Sequence, residues 1–482
     1  MVLPGAGSKA TAHWAHVAAL AAVAVVSAAL LLFATRTWGL GVSYDSVVYV
    51  QASRDLSSID LPQAQDQGGA PLYWWAPVYP GALKLVGGSY SGARFLNALL
   101  LIVGVLLVGG VAWRAIDARA GLVAGALYAF SPAVFAVHLS LMAEPLFLVL
   151  TTASLASIAA RRSVVAGFAC AAATLTRYSG LPLIAVGAIV FRGRDRVRFL
   201  ATSLLPYLAW LARNEIVAGQ TTGRMPRWHP PGWQAVEDGI KEILRYLVTP
   251  GELPSLTLPV VDPGRLAQLL AAAALLYAVV RADWRSPPEF VRIGLVFGGL
   301  YCAFLLLTMS VFDAVVPIDE RLLVPLVPTL AVGIAWLIRG TPVAALILAC
   351  VFAVSVLQQV RTVSLYGIDY SGRVWSAARF DGVSLPPGRL LSNWPAAVAY
   401  FTGRSPGRLP RSTDAHTHDR NNDFDRDMRD LARSVREGQA SLVLLNGEFL
   451  EIATVGTPLT ATAAYKGLCR PAGSVITICT RR

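Results

Sequence analysis

Long apolar runs recur along most of this chain and constrain its fold more than any other feature. The first, about residues 17–33, is almost pure Ala, Val and Leu, and comparable runs follow until about residue 357. Crossing the hydrocarbon core takes about 20 apolar residues as a helix, so a chain with many such runs is a polytopic membrane protein. The balance of 55% hydrophobic to 15% charged residues excludes an ordinary soluble domain.

The net charge of +12 would raise the question of nucleic acid in a soluble protein. Here much of the basic excess lies in short loops between apolar runs, which is the signature of cytoplasmic loops, and no nucleic-acid partner is called for. Arg dominates over Lys amid abundant Ala, Gly and Val, a composition that suits a GC-rich bacterial source. Lys9 ahead of an Ala-rich core has the form of a signal peptide, but the many later spans point to a retained first helix.

Orienting the runs by Lys and Arg gives a consistent path. Residues 17–33 run outward into a long outer loop, 36–92, and 95–113 return to Arg114 and Arg119. Residues 121–137 go out, and 145–160 come back to Arg161-Arg162. The next two runs, 163–175 and 181–191, are too short to span alone and meet at Thr176-Arg177-Tyr178-Ser179-Gly180. Irregular backbone at such a tip requires protein or a cavity around it. After the strongly basic loop 192–198, residues 199–211 lead out to a second outer loop, 212–264, whose stretch 235–247 reads as an amphipathic interfacial helix. Residues 265–280, 291–309, 322–338 and 341–357 complete about eleven spans, an odd number that puts the tail outside if the N-terminus is inside.

The expected architecture is an α-helical polytopic membrane domain, 1–358, followed by a small extracytoplasmic α/β domain, 359–482, in the bacterial cytoplasmic membrane. In the tail, 440–445 and 474–478 read as strands and 424–437 as a polar helix. Cys170, Cys302 and Cys350 fall in apolar runs and read as packing residues. Cys469 and Cys479 flank the turn-like Arg470-Pro-Ala-Gly-Ser474, and outside the cytoplasm they are expected to form a disulfide.

Ionisable groups at the outer helix ends are the candidates for chemistry. Asp45 lies just beyond the first apolar run, where a carboxylate is expensive unless it lines a polar cavity. Glu144, followed by Pro145, suits the first turn of a descending helix, where an acid complements the helix dipole, and a functional role stands beside that one. Arg177, at the tip of two short helices, needs an anionic or carbonyl partner. Arg321 begins a descending helix and either pairs with Asp319 or Glu320 or binds a phosphate. The cluster Tyr73-Trp74-Trp75-Ala-Pro-Val-Tyr79-Pro80 reads as an interfacial aromatic belt or as a platform for a sugar face. His416 and His418, near Asp414 and Asp419, lack a recognised metal-ligand spacing. No HExxH, GxxxxGK(S/T), GxSxG or CxxC occurs, so zinc proteases, P-loop ATPases and serine hydrolases have no local support.

The ordered set of short motifs resembles the GT-C superfamily of membrane glycosyltransferases, in particular the bacterial mannosyltransferase and aminoarabinose transferase families. The motifs are Tyr44-Asp45-Ser-Val-Val-Tyr49, Pro77-Val-Tyr79-Pro80, Ala93-Arg94-Phe-Leu-Asn97, Ser131-Pro132, Met142-Ala-Glu144-Pro145-Leu-Phe147, Leu175-Thr-Arg177-Tyr178-Ser-Gly180, Arg213-Asn214, Glu320-Arg321-Leu-Leu-Val-Pro325-Leu-Val-Pro328, Ser392-Asn-Trp-Pro395 and Tyr400-Phe-Thr-Gly403. The resemblance implies transfer of a sugar from a polyprenyl-phosphate donor to a cell-envelope glycan, lipid or protein acceptor on the outer face. It implies Asp45 as general base, and Tyr49, Tyr79, Glu144, Arg177, Tyr178 and Arg321 as substrate-binding residues. Many relatives carry paired acids in the first loop, whereas Ser46 follows Asp45 here, which leaves a divalent metal open and no cofactor certain. A transporter or flippase of lipid-linked saccharides is the alternative, and would favour internal repeats and charges near the midplane. A third reading is a membrane scaffold whose tail binds a partner.

Overall fold

The computed structural model describes residues 6–55, 74–222, 284–312, 319–375, 382–410, 420–445, 467–472 and 476–481, together with isolated positions between 226 and 281 and at 380 and 412. Tyr73, Asp313, the His416 and His418 segment, most of the amphipathic stretch 235–247, most of 265–280 and the side chain of Glu320 lie outside the described residues.

The chain folds as a bundle of apolar helices carrying a small C-terminal sheet domain. The helices are α1 (Ala6–Ala34), α2 (Tyr44–Asp55), α3 (Val78–Leu85), α4 (Tyr90–Ala115), α5 (Ala118–Ala129), α6 (Pro132–Leu139), α7 (Glu144–Ala159), α8 (Ser163–Thr174), α9 (Leu181–Val190), α10 (Gly193–Ala218), α11 (Glu289–Val311), α12 (Val327–Leu337) and α13 (Pro342–Tyr366). Within the described residues, four of them are long and apolar enough to cross a membrane, in α1, α4, α11 and α13, or five if the bent pair α5 and α6 is one span. The remaining apolar helices are shorter, so the expected count of about eleven spans is not fixed by these residues.

Local chemistry accounts for the helix ends. Ser89 caps α4 through Gly92 N, 3.0 Å, and Asp117 caps α5 through Ala120 N, 2.8 Å. The run 121–137, expected as one span, instead bends by 50° between α5 and α6. Ser131 caps a fresh start there and Pro132, which has no N–H to donate, occupies its first turn. Small residues then let backbones meet, as is usual between helices in lipid. A Cβ at Gly121 of α5 would lie 2.8 Å from the Gly109 carbonyl oxygen of α4. The two short runs expected at 163–175 and 181–191 are α8 and α9, joined through a single 3-10 turn at Tyr178–Gly180.

Beyond α13, which continues past residue 358 to Tyr366, strands β1 (Arg389–Ser392), β2 (Gly407–Arg408), β3 (Ala440–Leu445), β4 (Cys469–Pro471) and β5 (Ile476–Cys479) form one sheet. Its order is β2-β1-β3-β5-β4, parallel among β1, β2 and β3 and antiparallel for β5 and β4. Every residue of β3 is buried, because its alternate side chains face two layers. Leu442 and Leu444 pack with Leu431 and Val435 of α15 (Phe424–Arg436). Val443 and Leu445 pack with Ala396 and Val398 of α14 (Pro395–Thr402), in a cluster that also takes in Val42 and Val47 at the start of α2. The sheet domain therefore braces α2 from one side while the helical bundle holds it from the other.

Candidate active site

The site is organised by how the chain enters α2. Gly41 N donates to Leu139 O, 2.8 Å, Leu141 N donates to Gly41 O, 2.9 Å, and Tyr370 N donates to Val42 O, 3.0 Å. Residues 41 and 42 are thus pinned between the segment after α6 and the segment after α13. A Cβ at Gly41 would lie 2.8 Å from the Ile368 side chain, so glycine is required for that approach. Ser43 N donates to Ser46 Oγ, 2.9 Å, the returning half of a capping box, and Ser46 Oγ donates to Leu141 O, 2.7 Å. Ser46, at the position of a second acid in the resemblance, is fully buried and turned into the protein.

Asp45, in the first turn of α2, faces the other way. It lines a cavity of about 380 Å³ together with Tyr49, Trp75, Arg177, Tyr178 and Arg321. Trp75 Nε1 donates to Asp45 Oδ1 at 3.4 Å, and Arg321 Nη2 lies 3.4 Å from Asp45 Oδ2. Arg321 Nε also donates to Glu144 Oε1, 3.0 Å, and Arg177 Nη1 pairs with the same oxygen. Glu144 is fully buried behind the two guanidiniums, whereas the Asp45 side chain is 34% exposed. Two acids and two cations alternate from Asp45 through Arg321 and Glu144 to Arg177. Alternation of charge lets a buried carboxylate remain ionised, because each is paired and hydrogen-bonded.

Four sequence candidates, Asp45, Glu144, Arg177 and Arg321, are brought together here from α2, α7, the α8–α9 tip and the turn before α12. Tyr49 and Tyr178 line the same cavity. Burial, and after it the Asp45 charge, hold the Tyr49 phenol above its usual range, so it stands as a neutral hydroxyl. The Tyr178 hydroxyl accepts from Trp210 Nε1, 2.9 Å. Tyr79 is not at the cavity: it is fully buried and meets the Tyr49 ring edge-on at 4.9 Å. Its apolar ring is worth more in the core than at a wet wall, which the motif Pro77-Val-Tyr79-Pro80 did not reveal.

Two other motif residues also turn out to hold the frame. Arg94 Nε donates to Thr35 Oγ1, 2.8 Å, and Asn97 Nδ2 donates to His138 O and Ser140 O at 2.9 and 2.8 Å. Conversely, sequence reasoning passed over Phe304, Thr308 and Met309 of α11, which supply an apolar wall of the cavity. Nothing in their local pattern separates them from lipid-facing neighbours.

Among the described residues no group of three or more His, Cys, Asp or Glu side chains is placed to hold a metal ion. Arg177 and Arg321 both pair with Oε1 of Glu144, while its buried Oε2 has no hydrogen-bond partner among the described residues. In the sheet domain, Cys469 and Cys479 are cross-strand partners on β4 and β5 and their sulfurs are bonded.

No family model and no curated protein matches the chain. Solved structures do. ArnT, the aminoarabinose transferase from Cupriavidus metallidurans, superposes in its apo state with a TM-score of 0.61 at 16% identity, over 98% of each chain. Its structure bound to undecaprenyl phosphate gives 0.58 at 15% identity, over 96% of this chain and 97% of that one. The Archaeoglobus fulgidus oligosaccharyltransferase in complex with Zn and sulfate gives 0.53 at 13% identity, covering 94% of this chain and 72% of that one. Both are GT-C superfamily membrane glycosyltransferases, and over nearly its whole length this chain has the GT-C fold.

Proposed function

We propose that this protein is a membrane glycosyltransferase that moves a sugar from a polyprenyl-phosphate-linked donor to an acceptor hydroxyl on the outer face of the cytoplasmic membrane. One observation carries the reading: a partly exposed carboxylate, Asp45, shares a cavity with the guanidiniums of Arg177 and Arg321. Sugar transfer from a lipid phosphate needs a base for the incoming hydroxyl and cations for the departing phosphate, side by side. The ArnT structure with undecaprenyl phosphate supports the donor class.

In this mechanism Asp45 accepts the acceptor's proton as the hydroxyl oxygen bonds to the anomeric carbon. The bond from that carbon to the phosphate oxygen breaks, and the lipid phosphate leaves with the electron pair against Arg177 and Arg321. Direct displacement inverts the anomeric centre. Glu144 is fully buried and its Oε1 is held by both arginines, and Asp319, also on the cavity wall, accepts from Leu322 N through Oδ1 at 3.1 Å, which leaves Asp45 as the base in this reading. Glu144 orients the guanidiniums and limits their net charge. Trp75 fixes the Asp45 carboxylate, and the apolar wall of α11 receives the first isoprene units. No step is routed through a metal.

The test is release of polyprenyl phosphate from radiolabelled polyprenyl-phosphate sugars, by wild type and by Asp45→Asn, in membranes with native acceptors. Transfer by wild type that drops by about 10² or more in the folded variant supports the reading. Equal transfer by both removes Asp45 from the chemistry. Movement of labelled donor across the bilayer with no glycosidic bond formed identifies a transporter instead.

A further inference from the structure

A second cavity, of about 660 Å³, lies at the other end of the same helices and is lined by Arg161, Ile189, Val190, Phe191, Arg192 and Asp195. It shares no lining residue with the Asp45 cavity. Glu144 opens α7 and Arg161 follows its last turn, so the two sites are separated by the helix length, about 24 Å at 1.5 Å per residue. That distance puts them at opposite ends of α7, most of the way across the ~30 Å hydrocarbon core.

Arg161 sits at φ +57°, with its Nη1 donating to Val190 O, 2.9 Å, and its Nη2 paired with Glu289, 2.7 Å. The guanidinium is therefore fixed across the mouth between α7, α9 and α11. Arg192 ends the α9–α10 connection, and Arg162, Arg192 and Arg194 are exposed and form no ion pair or side-chain hydrogen bond with a described residue. Arg196 Nε is spent on Phe191 O, 2.9 Å. Among the described residues two acids oppose Arg161, Arg162, Arg192, Arg194, Arg196 and Arg198: Glu289, which holds Arg161 Nη2, and Asp195, whose Oδ1 accepts from Ser163 Oγ at 3.0 Å and faces Arg198 at 3.4 Å. The cavity is therefore net cationic. Its remaining wall is hydrocarbon, with Ile189 57% exposed and Val164, Val165 and Val197 exposed on the adjoining helix ends.

We infer that this cavity binds the headgroup of an anionic phospholipid, with Arg192 on its phosphate, Arg161 held at the mouth beside it by Val190 O and Glu289, and Ile189 against an acyl chain. A soluble anion would satisfy the arginines but leave the apolar wall in water; a zwitterionic lipid would cover the wall but bring its own cation to the arginines. Only an anionic lipid matches both halves. Juxtamembrane arginines gain from anionic lipid by an amount that corresponds to about fivefold in affinity each.

The experiment is native mass spectrometry of the delipidated full chain in detergent, titrated with phosphatidylglycerol, phosphatidylcholine or inorganic phosphate. The variants are Arg192→Gln and, as a control on an exposed helix of the sheet domain, Arg426→Gln. The expected result is preferential retention of phosphatidylglycerol over phosphatidylcholine, reduced about fivefold in Arg192→Gln and unchanged in Arg426→Gln. Both variants are surface changes, and a common size-exclusion profile checks that they fold. Equal retention of the two lipids, or equal loss in both variants, overturns the proposal. Displacement of phosphatidylglycerol by inorganic phosphate, with Arg192-dependent phosphate adducts, reassigns the cavity to a soluble anion.

Discussion

Arg321 and Glu144, 177 positions apart in sequence, meet through Nε and Oε1 at 3.0 Å. The contact joins the turn before α12 to the first turn of α7. Because Arg177 pairs with the same carboxylate oxygen and Arg321 also reaches Asp45, Glu144 is the hub on which the polar cluster depends.

Replacing Glu144 by Gln keeps the volume and removes the charge, leaving two guanidiniums facing each other around a fully buried site. Breaking a buried pair costs about 3–5 kcal/mol. Both arginines keep access to the cavity, so the lower end applies. The expected outcome is a clear fall in apparent Tm in detergent together with loss of sugar transfer. An unchanged Tm would mean the pairs contribute nothing to the bundle.

Ser46→Asp recreates adjacent acids in the first loop. Ser46 Oγ, however, is buried against Leu141 O and closes the capping box with Ser43 N. A carboxylate there meets a carbonyl oxygen and no cation, and an unpaired buried charge neutralises or unfolds its surroundings. The variant is expected to lower apparent Tm and to confer no divalent-ion dependence on transfer. Metal-stimulated activity in the folded variant would contradict this.

Asp369 has φ +50° and lies after α13, beside the backbone of Val42. Burial raises its carboxyl above the usual range, partly offset by the Arg321 charge. An acid whose folded pKa is raised favours the folded state in its protonated form, so its contribution is present at low pH and is lost as pH rises through the raised value. Asn tolerates the left-handed backbone and cannot ionise. As pH rises above the ordinary carboxylate range of about 4, the apparent Tm of wild type is expected to fall relative to Asp369→Asn. Parallel profiles would show that Asp369 does not titrate there.

The Cys469–Cys479 bond closes a loop of sequence separation 10 at the edge of the sheet. Protein purified without reductant is expected to resist alkylation at both sites. Cross-links of this kind stabilise by about 2–4 kcal/mol. Reduction is therefore expected to lower the unfolding temperature of the sheet domain, followed by limited proteolysis. Free alkylation of both thiols in folded protein would refute the pairing.

The architecture was legible in the sequence wherever local physics decides it. Apolar run length gave the four described helices long enough to cross a membrane, α1, α4, α11 and α13, and the two short runs around Thr176–Gly180 gave α8, α9 and their polar tip, because no partner is needed to know that such a tip needs shelter. Strand β3 was legible as a short apolar run, whereas β1, β2 and β4 were not. Those three are short and owe their geometry to neighbours, as edge and pairing strands do.

For the candidate site, the sequence by itself determined which charges are costly: Asp45 lies just beyond the first apolar run, and Glu144, Arg177 and Arg321 sit at ends of later ones. It did not determine who pairs with whom. Arg321 has Asp319 and Glu320 beside it, yet its ion pairs in the structure include Glu144 and Asp45, which come from distant elements. Nor did it separate Tyr49, on the cavity wall, from Tyr79, in the core, or mark Ser46 as a buried cap rather than a missing acid. These are choices of facing and distance. They are set only when the bundle on one side and the sheet domain on the other fix the rotation of α2, which turns Asp45 towards the cavity and Ser46 away from it.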